Sequence, residues 1–192
     1  PEADAIMIAR GDLGIECPYE ELPIIQRRIA KACMHVGKPF IVATHMLESM
    51  IENPHPTRAE VTDVANAVLD GADCVMLSGE SATGEFPVDA VATLARIAAA
   101  TEPHRVRNTL WERLAAPPAG LLLDTADLLS LGVEAIIGAS PPAAVLVPTR
   151  TGRTARSIAR FRLPVWMAAP TDSLAAARQL QFTYGVEPLW LD

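Results

Sequence analysis

Lysine is nearly absent from this 192-residue chain. Of its 16 basic residues only Lys31 and Lys38 are lysines, and the other fourteen are arginines. Chemistry that needs an ammonium group therefore has two positions to draw on. Aromatics are scarce as well, 5% against 50% apolar residues overall. A core of Ala, Val, Leu and Ile suits an α/β protein better than an aromatic-rich β-sandwich. Cysteine is limited to Cys17, Cys33 and Cys74, an odd number without C-x-x-C spacing. That excludes a disulfide scaffold and predicts reduced, mostly buried thiols in a cytoplasmic protein. The histidines, His35, His45, His55 and His104, lack zinc-ligand spacing. No apolar run reaches the ~18–20 residues that span a bilayer. The opening PEADAIMIAR has no basic signal-peptide start and no initiator Met, which suggests a piece of a longer chain. A net charge of −7 leaves no basic face for a phosphate backbone, so neither nucleic acid nor membrane is expected as a partner.

What is present is a rhythm. DAIMIAR (4–10), PFIVAT (39–44) and DCVMLSG (73–79) are short apolar runs bounded by turn signals. They read as parallel strands buried on both faces. Leu22, Ile25, Ile29, Ala32 and Val36 predict an amphipathic helix that Gly37 ends. TRAE (57–60) has capping-box form and opens a second helix carrying Val61, Val64, Ala65 and Val68. A third starts at Pro87 and uses Val88, Val91, Leu94 and Ile97. Strand and helix alternate three times, which implies a parallel sheet. A closed (β/α)₈ barrel takes eight such units and about 250 residues. Three would leave two apolar sheet edges open.

Residues 101–122 break the rhythm, and APPAG reads as a linker. Beyond it the pattern resumes: a helix over 124–137, a strand in 143–149, a helix over 153–161, a strand in 164–170, a helix over 172–180 and a last strand in 186–191. The fold class expected from this rhythm is α/β, with a small open α/β domain, expected to be cut short, in the second half. Trp111, Trp166 and Trp190 read as packing residues.

In parallel α/β folds chemistry collects at the C-terminal ends of strands, which selects four turns. In ARGDLG (9–14), Asp12 could ligate a hard cation and helix N–H groups could hold an anion; an N-cap Asp beside a surface Arg fits the same pattern. In ATHMLESM (43–50), Thr44 could donate a proton or orient a water and Glu48 could act as acid or base. A helix cap with a solvent-facing His45 would look alike. LSGESATG (77–84) could cradle an anion or be an ordinary connecting loop. In TRTGRT (149–154), hydroxyls, N–H groups and two guanidiniums could converge on a phosphate, the strongest intrinsic signal of the four.

IMIARGDLGIE, PFIVATHMLESMIENPHPTRAEVTDVANAVLDGADCVMLSGESATGEFPVDAV and VLVPTRTGRTARSIARFR together resemble the pyruvate kinase family. The likeness runs through nearly all of residues 4–101 and more loosely over 123–190. It implies a partial TIM barrel, the last three βα units of a catalytic (β/α)₈ barrel with the linker over residues 1–117, followed by most of an effector-type α/β domain over 118–192, expected to be truncated. It implies transfer of the phosphoryl group of phosphoenolpyruvate to ADP, giving pyruvate and ATP in glycolysis, with Mg²⁺ or Mn²⁺ and K⁺. By position, Asp12 matches a metal ligand, and Gly11 and Asp12 match the backbone that holds the substrate carboxylate, with Arg10 beside them. Thr44 matches the threonine implicated in protonating the enolate carbon. Ser78 falls in the matching loop without an assigned role. Thr149, Arg150, Thr151, Gly152, Arg153 and Thr154 match a loop that grips the phosphate of a sugar-phosphate effector. Arg58 matches a subunit contact in a homo-oligomer.

The family's usual Gln after the Thr is His45 here. The resemblance places the catalytic lysine, a second acidic metal ligand, a phosphate-binding arginine and the K⁺ ligands before residue 1. Lys31 is predicted on a helix and Lys38 ahead of a strand, neither placed to reach Asp12. The chain by itself is thus expected to be inactive. The alternative reading is a non-catalytic module that binds a phosphorylated metabolite or another kinase subunit.

Overall fold

The computed structural model describes residues 2–105 and 125–191. They fall into two compact units: residues up to Ala32 with Phe40–Arg105, and Cys33–Pro39 with the described residues from 125 onward. The predicted linker, the 117/118 boundary and Trp111 lie outside the described residues.

In the first unit, strand β1 (Ile6–Ala9) runs straight into helix α1 (Arg10–Glu16), and α2 (Leu22–Val36) follows. Then come β2 (Phe40–Ala43), α3 (Arg58–Leu69), β3 (Cys74–Met76), the single turn α4 (Gly79–Ala82) and α5 (Pro87–Thr101). The strands pair in the order β1-β2-β3, all parallel, with Ile8 opposite Val42 and Val42 opposite Val75. This is the predicted parallel βα sheet. Its centre is the middle strand, where Phe40, Val42 and Ala43 are fully buried together with Met46, Leu47 and Met50 just beyond it.

Three predicted faces are corrected. Strand β1 is not buried on both sides: Ile8 faces the core, and Met7, which alternation sends to the opposite face, is 51% exposed. Helix α2 buries Gln26 and Ala30 and exposes Ala32 and Val36. Its buried face includes Gln26 because that amide has an acceptor, Asp70, at 3.1 Å. Helix α5 buries Ala90 and Thr93 instead of Val88 and Val91, which are exposed. It packs on α3 through its small residues, and the close approach leaves the larger valines outside.

The second unit holds α6 (Thr125–Ala139), β4 (Ala144–Leu146), α7 (Arg153–Ala159), β5 (Trp166–Thr171), α8 (Leu174–Leu180) and β6 (Val186–Trp190). Its sheet is again parallel, in the order β4-β5-β6. Ile137, Ile158, Phe161, Met167, Leu180 and Val186 form the centre of one core. Strand alternation sends Met167 and Ala169 into that core, so Trp166 points away and is 69% exposed. Trp190 is half exposed. Neither is the packing residue predicted. Arg160 is buried and answered by Asp127 at 2.6 Å and Ser130 at 3.1 Å. No described helix is long and apolar enough to cross a membrane, and all three cysteines are free thiols.

The capping box at α3 forms as predicted, and it reaches further than its own helix. Thr57 Oγ1 accepts from the Glu60 amide, and the Glu60 carboxylate accepts from the Thr57 amide at 2.7 Å and the Thr57 hydroxyl at 2.8 Å. The same carboxylate takes the Ser49 amide at 2.7 Å and the Ser49 hydroxyl at 2.6 Å. Partial burial raises the Glu60 pKa, but the hydrogen bonds from Ser49 and Thr57 outweigh it, and the group sits below its ordinary 4.5. A depressed carboxyl pKa stabilises the fold above the unfolded value, and the contribution fades as pH falls through the folded value. We expect Glu60→Gln to cost about 1–2 kcal/mol at pH 7. In urea melts the gap from the parent chain should close as pH drops below 4.5; a gap independent of pH would refute this account.

Candidate active site

The site is built on the C-terminal ends of β1, β2 and β3. With no loop between β1 and α1, residues 10–12 form the first turn of a helix directly at a strand end. Gly11 packs against Thr44: a Cβ there would lie 3.7 Å from the Thr44 methyl. The Gly11 amide donates to Thr44 Oγ1 at 2.8 Å, and Thr44 Oγ1 donates to the Ala43 carbonyl at 2.6 Å. Two of the predicted turns are thereby joined by one hydroxyl. Asp12, one residue on, is exposed.

Thr44 and His45 both have positive φ, 67° and 55°. Left-handed backbone at a β-branched residue is costly and persists only where the surroundings impose it. Arg10 is one of the groups that impose it. Its guanidinium donates to the Thr44 carbonyl at 2.6 Å and the Ala43 carbonyl at 3.3 Å, with Met46 Sδ at 2.9 Å, and pairs with Asp63 at 2.5 Å. Arg10 is turned toward the loop after β2, where it reads as a backbone clamp. Beside the Arg10–Asp63 pair lies an open groove of about 320 Å³, lined among others by Tyr19, Gln26, Arg27, His45 and Asp70. Its charges answer one another: Arg27 meets Asp70 at 3.1 Å. The exposed His45 has Glu48 at 3.5 Å.

The loop after β3 spends its amides internally. Ser81 and Ala82 donate to the Ser78 carbonyl, and Thr83 and Gly84 to that of Gly79. These bonds make it a packed connection. Its glycines are there for space: a Cβ on Gly79 would come within 2.9 Å of Ile51 Cδ1, and one on Gly84 within 2.9 Å of the Glu80 carbonyl. The Ser78 amide donates to Glu80 Oε2 at 2.7 Å, and the Leu47 amide to Glu80 Oε1 at 3.0 Å. Glu80 and Asp63 were not singled out by sequence reasoning. The available signal for Glu80 was an acid in an otherwise small and hydroxylic strand-end loop; for Asp63, in mid-helix, there was none.

TRTGRT lies in the second unit, between β4 and α7. The Gly152 amide donates to Thr149 Oγ1 at 3.0 Å, and the Arg156 guanidinium to the Thr151 carbonyl at 3.1 Å. Gly152 has φ +75°, and a Cβ would lie 2.7 Å from Arg156 and 3.0 Å from Leu180, so both conformation and space require glycine. Arg150, Thr151 and Arg153 are exposed, and Thr149 and Thr154 half-buried.

Parallel βα units with their polar turns gathered at strand C-termini, followed by a small parallel α/β domain, place the chain in the α/β class. The family model of the pyruvate kinase barrel domain matches residues 1–91, and that of the pyruvate kinase alpha/beta domain matches residues 131–192. The chain belongs to the pyruvate kinase family, a family of phosphotransferases. It is 43% identical over 191 residues to the pyruvate kinase of Clostridium acetobutylicum, spanning 99% of this chain and 40% of that protein. It is 47% identical over 189 residues to the pyruvate kinase PKLR of Homo sapiens, 97% of this chain and 32% of that one. A crystal structure of a pyruvate kinase from Cryptosporidium parvum superposes with a TM-score of 0.91 at 40% identity, covering 99% of this chain and 38% of the other. The chain thus spans well under half the length of these relatives.

If Arg10 holds the left-handed turn by spanning three acceptors, a point charge cannot replace its fork. Arg10→Lys should cost about 2 kcal/mol in denaturant melts, nearly as much as Arg10→Ala. Full rescue by lysine would show that only the charge matters.

Proposed function

We propose that this chain carries part of a pyruvate kinase active site, for transfer of the phosphoryl group of phosphoenolpyruvate to ADP. The observation that supports it most is the hydrogen bond from the Gly11 amide to Thr44 Oγ1, which sets the candidate proton donor against the candidate substrate turn. An N–H aimed at Oγ1 stabilises the charge that develops as the hydroxyl proton leaves toward an enolate carbon. That proton now points at the Ala43 carbonyl, so donation requires a rotation about the Thr44 Cβ–Oγ bond. Gly11 and Asp12 would line the substrate carboxylate. Arg10 would enter as a positioning group, since its guanidinium is committed to the Thr44 and Ala43 carbonyls and to Asp63.

Among the described residues no three His, Cys, Asp or Glu side chains gather around a possible metal. Asp12 is a single exposed carboxylate, which fits Mg²⁺ or Mn²⁺ as one donor of a site completed by substrate oxygens and water. Such an ion supplies charge neutralisation on the phosphoryl and enolate oxygens. K⁺ follows from the family resemblance, with no residue assigned to it here. Neither Lys31, on α2, nor Lys38, ahead of β2, lies at the strand ends beside Asp12. We therefore propose that the 192 residues alone are inactive.

Residues 149–154 would hold the phosphate of a sugar-phosphate effector. Arg58, exposed in the first turn of α3, places a cation at the end of a helix that disfavours one. Its charge is better spent on a neighbouring subunit of a homo-oligomer. Domains at 1–117 and 118–192 and a cytoplasmic location complete the proposal. The second reading, a non-catalytic phosphometabolite- or subunit-binding module, draws on the exposed Arg150, Thr151 and Arg153.

The deciding experiment is the mass and activity of the endogenous polypeptide, captured with an antibody to this chain. We expect a protein long enough for a whole barrel, with Mg²⁺-dependent pyruvate formation that Asp12→Ala lowers at least ~100-fold. The isolated chain should form no pyruvate. A native mass of 20.5 kDa would overturn the catalytic reading in favour of the module. Pyruvate made by the isolated chain and abolished by Asp12→Ala would overturn its inactivity.

A further inference from the structure

We infer that Glu80 is a positioning residue for Thr44, acting as a brace across the ends of β2 and β3. The inference rests on the reading of Thr44 as the proton donor of the proposed site. Glu80 is only 2% exposed. Among the described residues no cation pairs with its carboxylate; the two backbone amides of Leu47 and Ser78 are its partners. An unpaired buried carboxylate is expensive to keep, and local stability alone does not call for one.

What the carboxylate offers is two acceptors on one rigid group. One oxygen takes the amide of Leu47, which closes the segment that starts with the left-handed Thr44 and His45. The other takes the amide of Ser78, the second residue after β3, whose φ of −121° and ψ of −103° are also irregular. A glutamine has one acceptor and would set its own N–H against the second amide. Residues 44–47 are thus held from both neighbouring strands. Arg10, from β1, fixes the carbonyl of Thr44, and Glu80, from the β3 side, fixes the amide of Leu47. Met46 and Leu47 are fully buried, so the segment has little room to absorb a loss on either side. Releasing Leu47 should let the left-handed pair relax and loosen the Gly11–Thr44 hydrogen bond.

The test is amide NMR on the ¹⁵N-labelled chain with Glu80→Gln. We expect hydrogen exchange at Leu47 and Ser78 to quicken at least ~10-fold. Gly11 should lose protection with them, while amides in mid-α3 and mid-α5 stay within about twofold. Leu47 and Ser78 responding while Gly11 does not would reduce Glu80 to a local stabiliser and overturn the inference. Should the variant fail to fold, Glu80→Asp, which keeps both acceptors on a shorter arm, decides by the same exchange measurement. Gly11 should lose protection together with Leu47 and Ser78; a Gly11 amide that keeps its parent protection overturns the inference. Neither readout requires catalysis. Thr44→Val leaving kcat of the complete enzyme unchanged would sink the functional reading and leave the brace standing.

Discussion

The left-handed backbone at Thr44 and His45 is the constraint around which the first unit is arranged. Two consecutive non-glycine residues in that region carry strain that local sequence cannot justify. The surroundings supply the justification: the Arg10 guanidinium on the carbonyl side, the Gly11 amide on the hydroxyl, and the buried sheet end beneath. Asp63 in turn orients Arg10. Remove the strain and there is no need for the clamp or the buried carboxylate. Strain held by so many groups belongs to a place where geometry matters more than stability.

The two units solve the same packing problem on different terms. Each is a three-stranded parallel sheet. In the first, the middle strand and the chain just beyond it form the core, so the strand ends are rigid and can carry precise polar geometry. In the second, one face is packed and the other shows Leu146 and Trp166. Rigidity there comes from Arg160, whose burial is compensated by Asp127 and Ser130, and from Gly152, whose conformation and surroundings admit no side chain.

Much of this was legible in advance, for identifiable reasons. Strand positions followed from apolar runs ended by turn residues, and the α3 start from Thr57 and Glu60. Helix faces were read less well. Periodicity counts apolar residues, but α5 packs through Ala90 and Thr93 and α2 buries Gln26 because Asp70 awaits it. Of the site, Gly11, Asp12 and Thr44 were flagged by their place at strand ends. Arg10 was flagged too, but its direction was not, because a guanidinium reaches several ångströms either way. Glu80 holds the Leu47 amide 33 residues away and Asp63 the Arg10 guanidinium 53 residues away, and nothing in a linear motif encodes that.

Glu60 satisfies the first turn of its own helix and, with the same two oxygens, the amide and hydroxyl of Ser49. A helix start normally forms early, from neighbours in sequence. Here the cap shares its acceptor with Ser49, in the segment that follows β2. The loop after β2 and the start of α3 should therefore order together, as one cooperative step. That would make Ser49 and Glu60 a late seam in assembly rather than a seed.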